Sequence, residues 1–342
     1  MIPVRTTDPT ALDQVAIRAA IDDGRTPVIQ FSEPPGSSGL LRTLNQLCIE
    51  LGDRIQVRFF GYYGRRYDAS VLSSLPDVRW LSVDSLDQIE NESHLCRLEK
   101  LTRLAFGVYN FDHPRFLEHL PLENLTHLTL VENKKRNFDL MPLGRGEAIT
   151  DLFINGHTKN IGAIAVLPKL KTLGLSAIKN QQELGFLCKL ADLQALTLIL
   201  GGRQTFDEFS HAGLQELTII RLRGLETLGD LGRFPNLRKL HLEDQLQIGS
   251  ISFEGARLTG VEIINCKNLE ALVDLDALSS IESLRISGTK LDLDALAVRD
   301  WPASLDVLAL YSGSRTWNAR TRAALDKRGF RERSTSPKHP AH

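Results

Sequence analysis

The sequence predicts an α/β solenoid, in which one strand-and-turn unit is copied along most of the chain and the strands lie side by side in a parallel sheet. Three observations predict it. The pattern apolar-x-x-apolar-x-apolar returns eleven times between residues 78 and 310. Its first positions run from Val78 to Leu305 in steps of only 21 to 24 residues. Leucine fills most of the repeated slots while aromatics make up 6% of the chain, the balance expected when one aliphatic type occupies identical sites. A unit of that length cannot bury its apolar side alone, so neighbouring copies must stack.

Taken in order, residues 1–77 read as an N-terminal α/β cap. A short leader precedes a helix, with Thr7-Asp8-Pro9 as its start signal, Leu12, Val15, Ile17, Ala19 and Ile21 as its apolar residues, and Gly24 as its stop. PVIQF (27–31) reads as a buried strand, Pro34 to Gly39 as a loop, Leu40 to Cys48 as a helix, and Ile55, Val57 and Phe59 as a second strand. The eleven repeats occupy 78–312. Leu214-Gln-Glu-Leu217-Thr-Ile219 shows the pattern clearly, and Leu237, Leu240 and Leu242 repeat it 23 residues later.

Within each unit the period changes. Apolar residues alternate along the strand, so one face is buried. Beyond it they come every third residue, as at Leu225, Leu228, Leu231 and Phe234, or Leu269, Leu272, Leu275 and Leu278, which suits 3₁₀ turns. Three 21-residue units, containing HTKNIGAIAVLPK, GGRQTFDEFSHAG and DQLQIGSISFEGA, are expected to replace the helical turn with turns or extended chain. Residues 313–330 read as a helical C-terminal cap, with Trp317, Ala324 and Leu325 packing inward and Gly329 ending the helix. Residues 331–342 carry no apolar pattern and are expected to be a disordered tail.

These repeats resemble bacterial leucine-rich repeat proteins of the internalin-like class. The resemblance covers about 78–312 and implies a right-handed leucine-rich repeat solenoid, a horseshoe with a concave parallel sheet that binds protein. It also implies an asparagine ladder at the ninth position of each unit. Here Asn133, Cys266 and Thr289 suit that role, whereas Leu86, Ile178, Gly201 and Leu222 do not. The N-terminus shows no secretory signal, no run approaches a membrane span, and the four cysteines have neither disulfide nor metal spacing. A cytoplasmic protein is expected, with no cofactor and no membrane partner. The formal net charge of −1 gives no general attraction to nucleic acid.

Positions 3, 5 and 7 of each unit point away from the core, because side chains alternate across a strand. They form three rows on the expected concave face. Trp80, Arg103, His127 and Phe153 put bulky groups toward the N-terminal end. Small residues such as Thr172, Gly174 and Ala195 follow. Ile199 and Ile220 then lie near Glu216, Lys239, His241, Glu243 and Glu262, with Arg285 and Tyr311 toward the C-terminal end. Aromatic and arginine anchors beside a polar rim are what a protein interface uses, so these are the candidate partner-binding residues.

No catalytic or metal constellation stands out. Pro34–Gly39 sits between a strand and a helix, as phosphate-cradling loops do, but it lacks the Gly-Lys-Ser/Thr ending. Asp292 and Asp294 read as turn or cap residues, and Lys134-Lys135-Arg136 as a solvated loop. Arg320, Arg322, Lys327, Arg328, Arg331 and Arg333 make the C-terminal end basic, the best place for a weak nucleic-acid contact. The leading expectation is a non-enzymatic adaptor, inhibitor or immunity-type protein. A secreted effector acting on a host protein, and an enzyme using the Pro34–Gly39 loop, are the alternatives.

Overall fold

Each of the eleven patterned segments becomes a strand that begins at its third position. The three pattern residues of each are buried, none more than 5% exposed. The computed structural model describes residues 2–62, 66–179 and 182–332. The described residues divide into two compact units, one up to Leu170 and one from Lys171 onward. Both are built as leucine-rich repeat stacks around a parallel sheet.

In the first unit seven strands neighbour one another in chain order: β1 (Pro3–Thr7), β2 (Thr26–Phe31), β3 (Gln56–Gly61), β4 (Trp80–Leu86), β5 (Arg103–Val108), β6 (His127–Leu130) and β7 (Asp151–Asn155). All pair in parallel, and like positions face like except at the end of β4, where the register shifts against both β3 and β5. The second unit holds β8 (Thr172–Ser176), β9 (Ala195–Ile199), β10 (Glu216–Ile220), β11 (Lys239–Glu243), β12 (Gly260–Ile264), β13 (Ser283–Ser287) and β14 (Val307–Tyr311), again parallel and without a register slip. Inward leucines therefore stack on inward leucines, as Leu196 does between Leu173 and Leu217.

The N-terminal segment differs from the expected leader and cap. Residues 3–7 are a strand, and β3 continues the repeat sheet directly, with Val57 opposite Leu81 and Phe59 opposite Val83. Thr7-Asp8-Pro9 does not start a helix. Asp8 takes a left-handed backbone, and its carboxylate accepts from the Ser32 amide at 2.7 Å and from the Ser32 hydroxyl at 2.6 Å. Helix α1 (Gln14–Asp22) starts instead at Asp13, whose Oδ1 accepts from the Ala16 amide at 2.9 Å. It buries Ile17 and Ala20, while Val15 stays exposed. Helix α2 (Ser38–Leu51) buries Leu40, Leu41, Leu44, Leu47, Cys48 and Leu51.

The side opposite the sheet carries short 3₁₀ turns, including Gly185–Lys189 and Leu231–Arg233. One of the three short units departs from expectation, because Ile161–Val166 is itself 3₁₀ and buries Ile161 and Ile164. Another follows it: Ser250–Ser252 is extended and pairs with Ala271–Val273. In the first unit Phe106, pointing inward from β5, packs against Phe111, Phe116 and Phe138, with neighbouring ring centroids 4.4–6.4 Å apart.

After β14, helix α3 (Arg315–Lys327) is capped by Ser314, whose hydroxyl accepts from the Trp317 amide at 3.3 Å. Thr321 and Leu325 are its buried residues, and Ala324, expected inside, faces solvent because it lies off their stripe. Arg331 and Glu332 are not the head of a structureless tail. The Arg331 amide donates to the Asp306 carbonyl at 2.8 Å, and the Leu308 amide donates to the Arg331 carbonyl at 3.1 Å, so the chain bridges the last strand. The rest of the expected tail, 333–342, lies outside the described residues.

Candidate protein-binding face

One device ends the strands of the second unit. In the six repeats before the last, the eighth residue, Ala177, Leu200, Arg221, Asp244, Asn265 or Gly288, has φ between 51° and 64°. This left-handed turn aims its amide at the next copy: Ala177 N reaches the Ile199 carbonyl, Leu200 N that of Ile220, and Arg221 N that of Glu243, each at 2.9 Å. A backbone ladder thus holds the strand ends level and fixes the outward rows. It costs strain, since a non-glycine residue in this region loses about 1–2 kcal/mol.

The ninth-position ladder is irregular. Asn133 Oδ1 accepts from the Lys135 and Arg136 amides at 3.0 and 2.5 Å, as its type suggests. Two slots are filled by residues the asparagine rule misses. Buried His157 contacts the Val131 carbonyl through Nε2 at 3.0 Å and accepts from the Phe138 amide through Nδ1 at 3.1 Å, stacked 4.4 Å from the Phe138 ring. Burial lowers its pKa below 6.5, against the hydrogen bond to Val131. Gln245, fully buried, donates to the Glu243 carbonyl at 2.7 Å.

Strand register puts the candidate residues on the outward face. In the first unit Trp80, Arg103, His127 and Asp151 lie opposite one another in turn, and Phe153 lies beside Thr129. The Arg103 guanidinium sits 4.9 Å from the Trp80 ring centroid, and His127 Nε2 is 3.4 Å from Asp151. The face also extends onto the N-terminal strands, which the sequence reading left out. Arg58 meets Asp84 through Nε and Nη2, the shortest contact being 2.6 Å, and lies 4.6 Å from the Phe60 ring. Gln30 accepts from Arg58 at 3.3 Å and donates to Thr7 at 2.7 Å, while Gln56 donates to Ser82 at 2.7 Å. The signal was present: Gln56, Arg58 and Phe60 alternate with the inward residues of β3.

In the second unit Glu216 and Lys239 pair at 2.6 Å. His241 sits between two carboxylates, with Nδ1 3.0 Å from Glu262 and Nε2 3.3 Å from Glu243. Its pKa is raised above 6.5, chiefly by the hydrogen bond to Glu262, with burial opposing. Ile199, Ile220, Glu243 and Ile264 follow one another in the seventh-position row, all partly exposed. At the C-terminal end Arg285 Nη2 donates to the Glu332 carbonyl at 3.0 Å, and the Tyr311 hydroxyl is held by the Glu332 carboxylate. Val307 and Ala309 are buried here rather than offered outward.

The other candidate features have structural work. Ser37 caps α2, accepting from the Leu40 amide at 3.2 Å, and a Cβ on Gly36 or Gly39 would meet nothing closer than 3.9 Å, so neither glycine makes room for close backbone approach. Asp292 caps Leu293–Val298, and Asp294 accepts from Trp317 Nε1 at 3.0 Å. Arg136 pairs with Asp112. The basic C-terminal end closes the last repeat: Arg322 binds the carbonyls of Leu308 and Phe330, Arg328 those of Ala297 and Arg299, and Arg331 pairs with Asp306. Arg333 lies outside the described residues. Among the described residues no group of three or more His, Cys, Asp or Glu is placed to hold a metal, and no helix is long and apolar enough to cross a membrane.

No protein-family model and no curated protein matches the chain. It is similar to several solved structures. Internalin C2 from Listeria monocytogenes is 22% identical over 64% of this chain and 84% of its own, with a TM-score of 0.36. The internalin inlF from the same organism is 14% identical over 92% and 88%, with a TM-score of 0.43. A structure of the Toll–Spatzle complex from Drosophila matches at 16% identity over 90% and 51%, with a TM-score of 0.49.

Proposed function

We propose that this chain is a non-enzymatic protein-binding module whose partner seats on the outward face of the sheet. The observation that carries the reading is the seventh-position row Ile199, Ile220, Glu243 and Ile264, in register and partly exposed, in which three isoleucines adjoin charged groups. An apolar stripe bordered by polar groups is how protein interfaces are built, and extended sheet faces are the recurring binding surfaces of repeat stacks. In the first unit Trp80 and Phe153 would be the anchors. The finer role is that of an adaptor, inhibitor or immunity-type protein in a bacterial cytoplasm. The reducing compartment is supported by four free cysteines, two of them buried.

The test starts with affinity capture and identification of a bound protein, followed by measured affinity for that protein. Phe153→Asp and Ile220→Asp, singly and together, should weaken binding at least tenfold with unchanged circular dichroism. Exposed Val166→Asp and Val273→Asp, away from the main strands, should leave it unchanged. Affinity indifferent to the first pair, or lost only with the second, would reject the sheet face.

A further inference from the structure

We propose that His241 is a proton-operated clip on the outward face of the second unit, closed over Glu243 and Glu262 when the ring carries two protons and released from Glu243 when it carries one. The clip operates within the isolated chain and does not require the partner reading above.

The geometry carries the argument. Both ring nitrogens face carboxylate oxygens, Nδ1 toward Glu262 at 3.0 Å and Nε2 toward Glu243 at 3.3 Å. An ionised carboxylate can only accept, and a neutral imidazole has one N–H. Both contacts are therefore attractive only in the imidazolium. In the neutral ring one nitrogen lone pair opposes a carboxylate lone pair at about 3 Å, and one contact must open. The contact to Glu243 is the longer.

The strands on either side present charged groups of their own to this triad. On β10, Thr218 lies opposite His241, and Glu216 is engaged by Lys239 at 2.6 Å. On β11 itself the charged groups are Lys239 and Glu243. On β12 the opposing residue is Glu262, and directly opposite Glu262 on β13 stands Arg285, a cation that also donates to the Glu332 carbonyl at 3.0 Å. Arg221 is held by Asp244 at 2.6 Å. The two glutamates stabilise the ring proton, consistent with the raised pKa of His241, where the hydrogen bond to Glu262 leads and burial opposes.

The consequence falls on the seventh-position row. Glu243 lies between Ile220 and Ile264. The closed clip draws its carboxylate back against the ring and leaves the triad one negative charge. The open clip frees that carboxylate into the isoleucine row and leaves two. The same face thus presents a mainly apolar row below the His241 midpoint and an acid-interrupted row above it.

The test is a pH titration of the full-length protein by NMR, following the His241 ring nitrogens and the Glu243 and Glu262 carboxyl carbons. The expected His241 midpoint lies above 6.5, and both carboxyl carbons shift again at that midpoint. Glu243→Gln and Glu262→Gln should each lower it. His241→Gln should abolish the second carboxyl shift without changing circular dichroism. A midpoint at or below 6.5, carboxyl carbons flat through the His241 titration, or a midpoint unmoved by either glutamine substitution overturns the clip.

Discussion

Gly201→Ala is the sharpest single test of the turn geometry. Gly201 has φ of +93°, well beyond the left-handed region that an L-residue tolerates. A Cβ there would stand 2.2 Å from the Ile178 carbonyl oxygen, 2.9 Å from its amide nitrogen and 3.1 Å from its carbonyl carbon. All three atoms are backbone. The Ile178 carbonyl already accepts from the Gly202 amide at 3.2 Å, so retreat breaks a bond that joins two repeats. Backbone strain of about 1–3 kcal/mol adds to a packing shift of about 1–3 kcal/mol, giving roughly 2–6 kcal/mol in all. Gly162→Ala is the matched control, since nothing lies within 4 Å of its added Cβ and its φ is not positive. That change should be neutral or stabilise by about 0.4–1 kcal/mol through the unfolded chain. Urea unfolding followed by circular dichroism measures both. If Gly201→Ala lies within about 0.5 kcal/mol of wild type, the range of ordinary surface changes, the turn account is wrong.

Leu196→Ala, at a site 1% exposed, should cost about 2–5 kcal/mol in the same assay. Ending the chain after Phe330 should lower the melting temperature and speed hydrogen exchange at the Leu308 amide, which loses the Arg331 carbonyl as acceptor; unchanged exchange there would show that the bridge does not persist in solution. The two perturbed histidines should drive stability in opposite directions with pH. His157 has a lowered folded pKa, so its contribution is present above about 6.5 and is lost as pH falls through the folded value. His241 has a raised folded pKa, so its contribution is complete below about 6.5 and is lost as pH rises through the folded value. Comparing melting temperature against pH for His157→Phe and His241→Gln separates them, and both variants losing the same limb of the wild-type profile would contradict these signs.

The alternation of the strands was open to reading because burial on one side of a parallel sheet writes itself into the sequence every second residue. Leu214, Leu217 and Ile219 are inward for the same reason that Glu216, Thr218 and Ile220 are outward, and strand register then fixes the rows. The left-handed eighth position was not legible. Ala177, Leu200 and Arg221 have no preference for that conformation, and the neighbouring copy's carbonyl imposes it. His157 and Gln245 hid for a related reason, since any side chain with a suitably placed polar group can fill the ninth slot. The N-terminal extension of the face was lost by treating residues 1–77 as a lid. Arg58 and Gln30 have lateral partners only because β2 and β3 continue the sheet, a fact that depends on pairing across more than twenty residues.

The lateral pairing of the outward charges bears on how such a face can select a partner. Arg58 with Asp84 and Lys239 with Glu216 are already satisfied in the isolated chain. A partner's charge that displaced one member would have to compensate both the broken pair and its own desolvation, so pairs of this kind set orientation and exclude mismatched surfaces more than they add affinity. On the proposed reading affinity then comes from Ile199, Ile220 and Ile264, and from Trp80 and Phe153. Lys239→Met should accordingly change affinity by less than about threefold, the scale of an exposed pair, while changing its dependence on salt. Ile220→Asp places a charge within the apolar row and should cost far more. A Lys239→Met effect as large as that of Ile220→Asp would mean that charge, and not the isoleucine row, holds the partner.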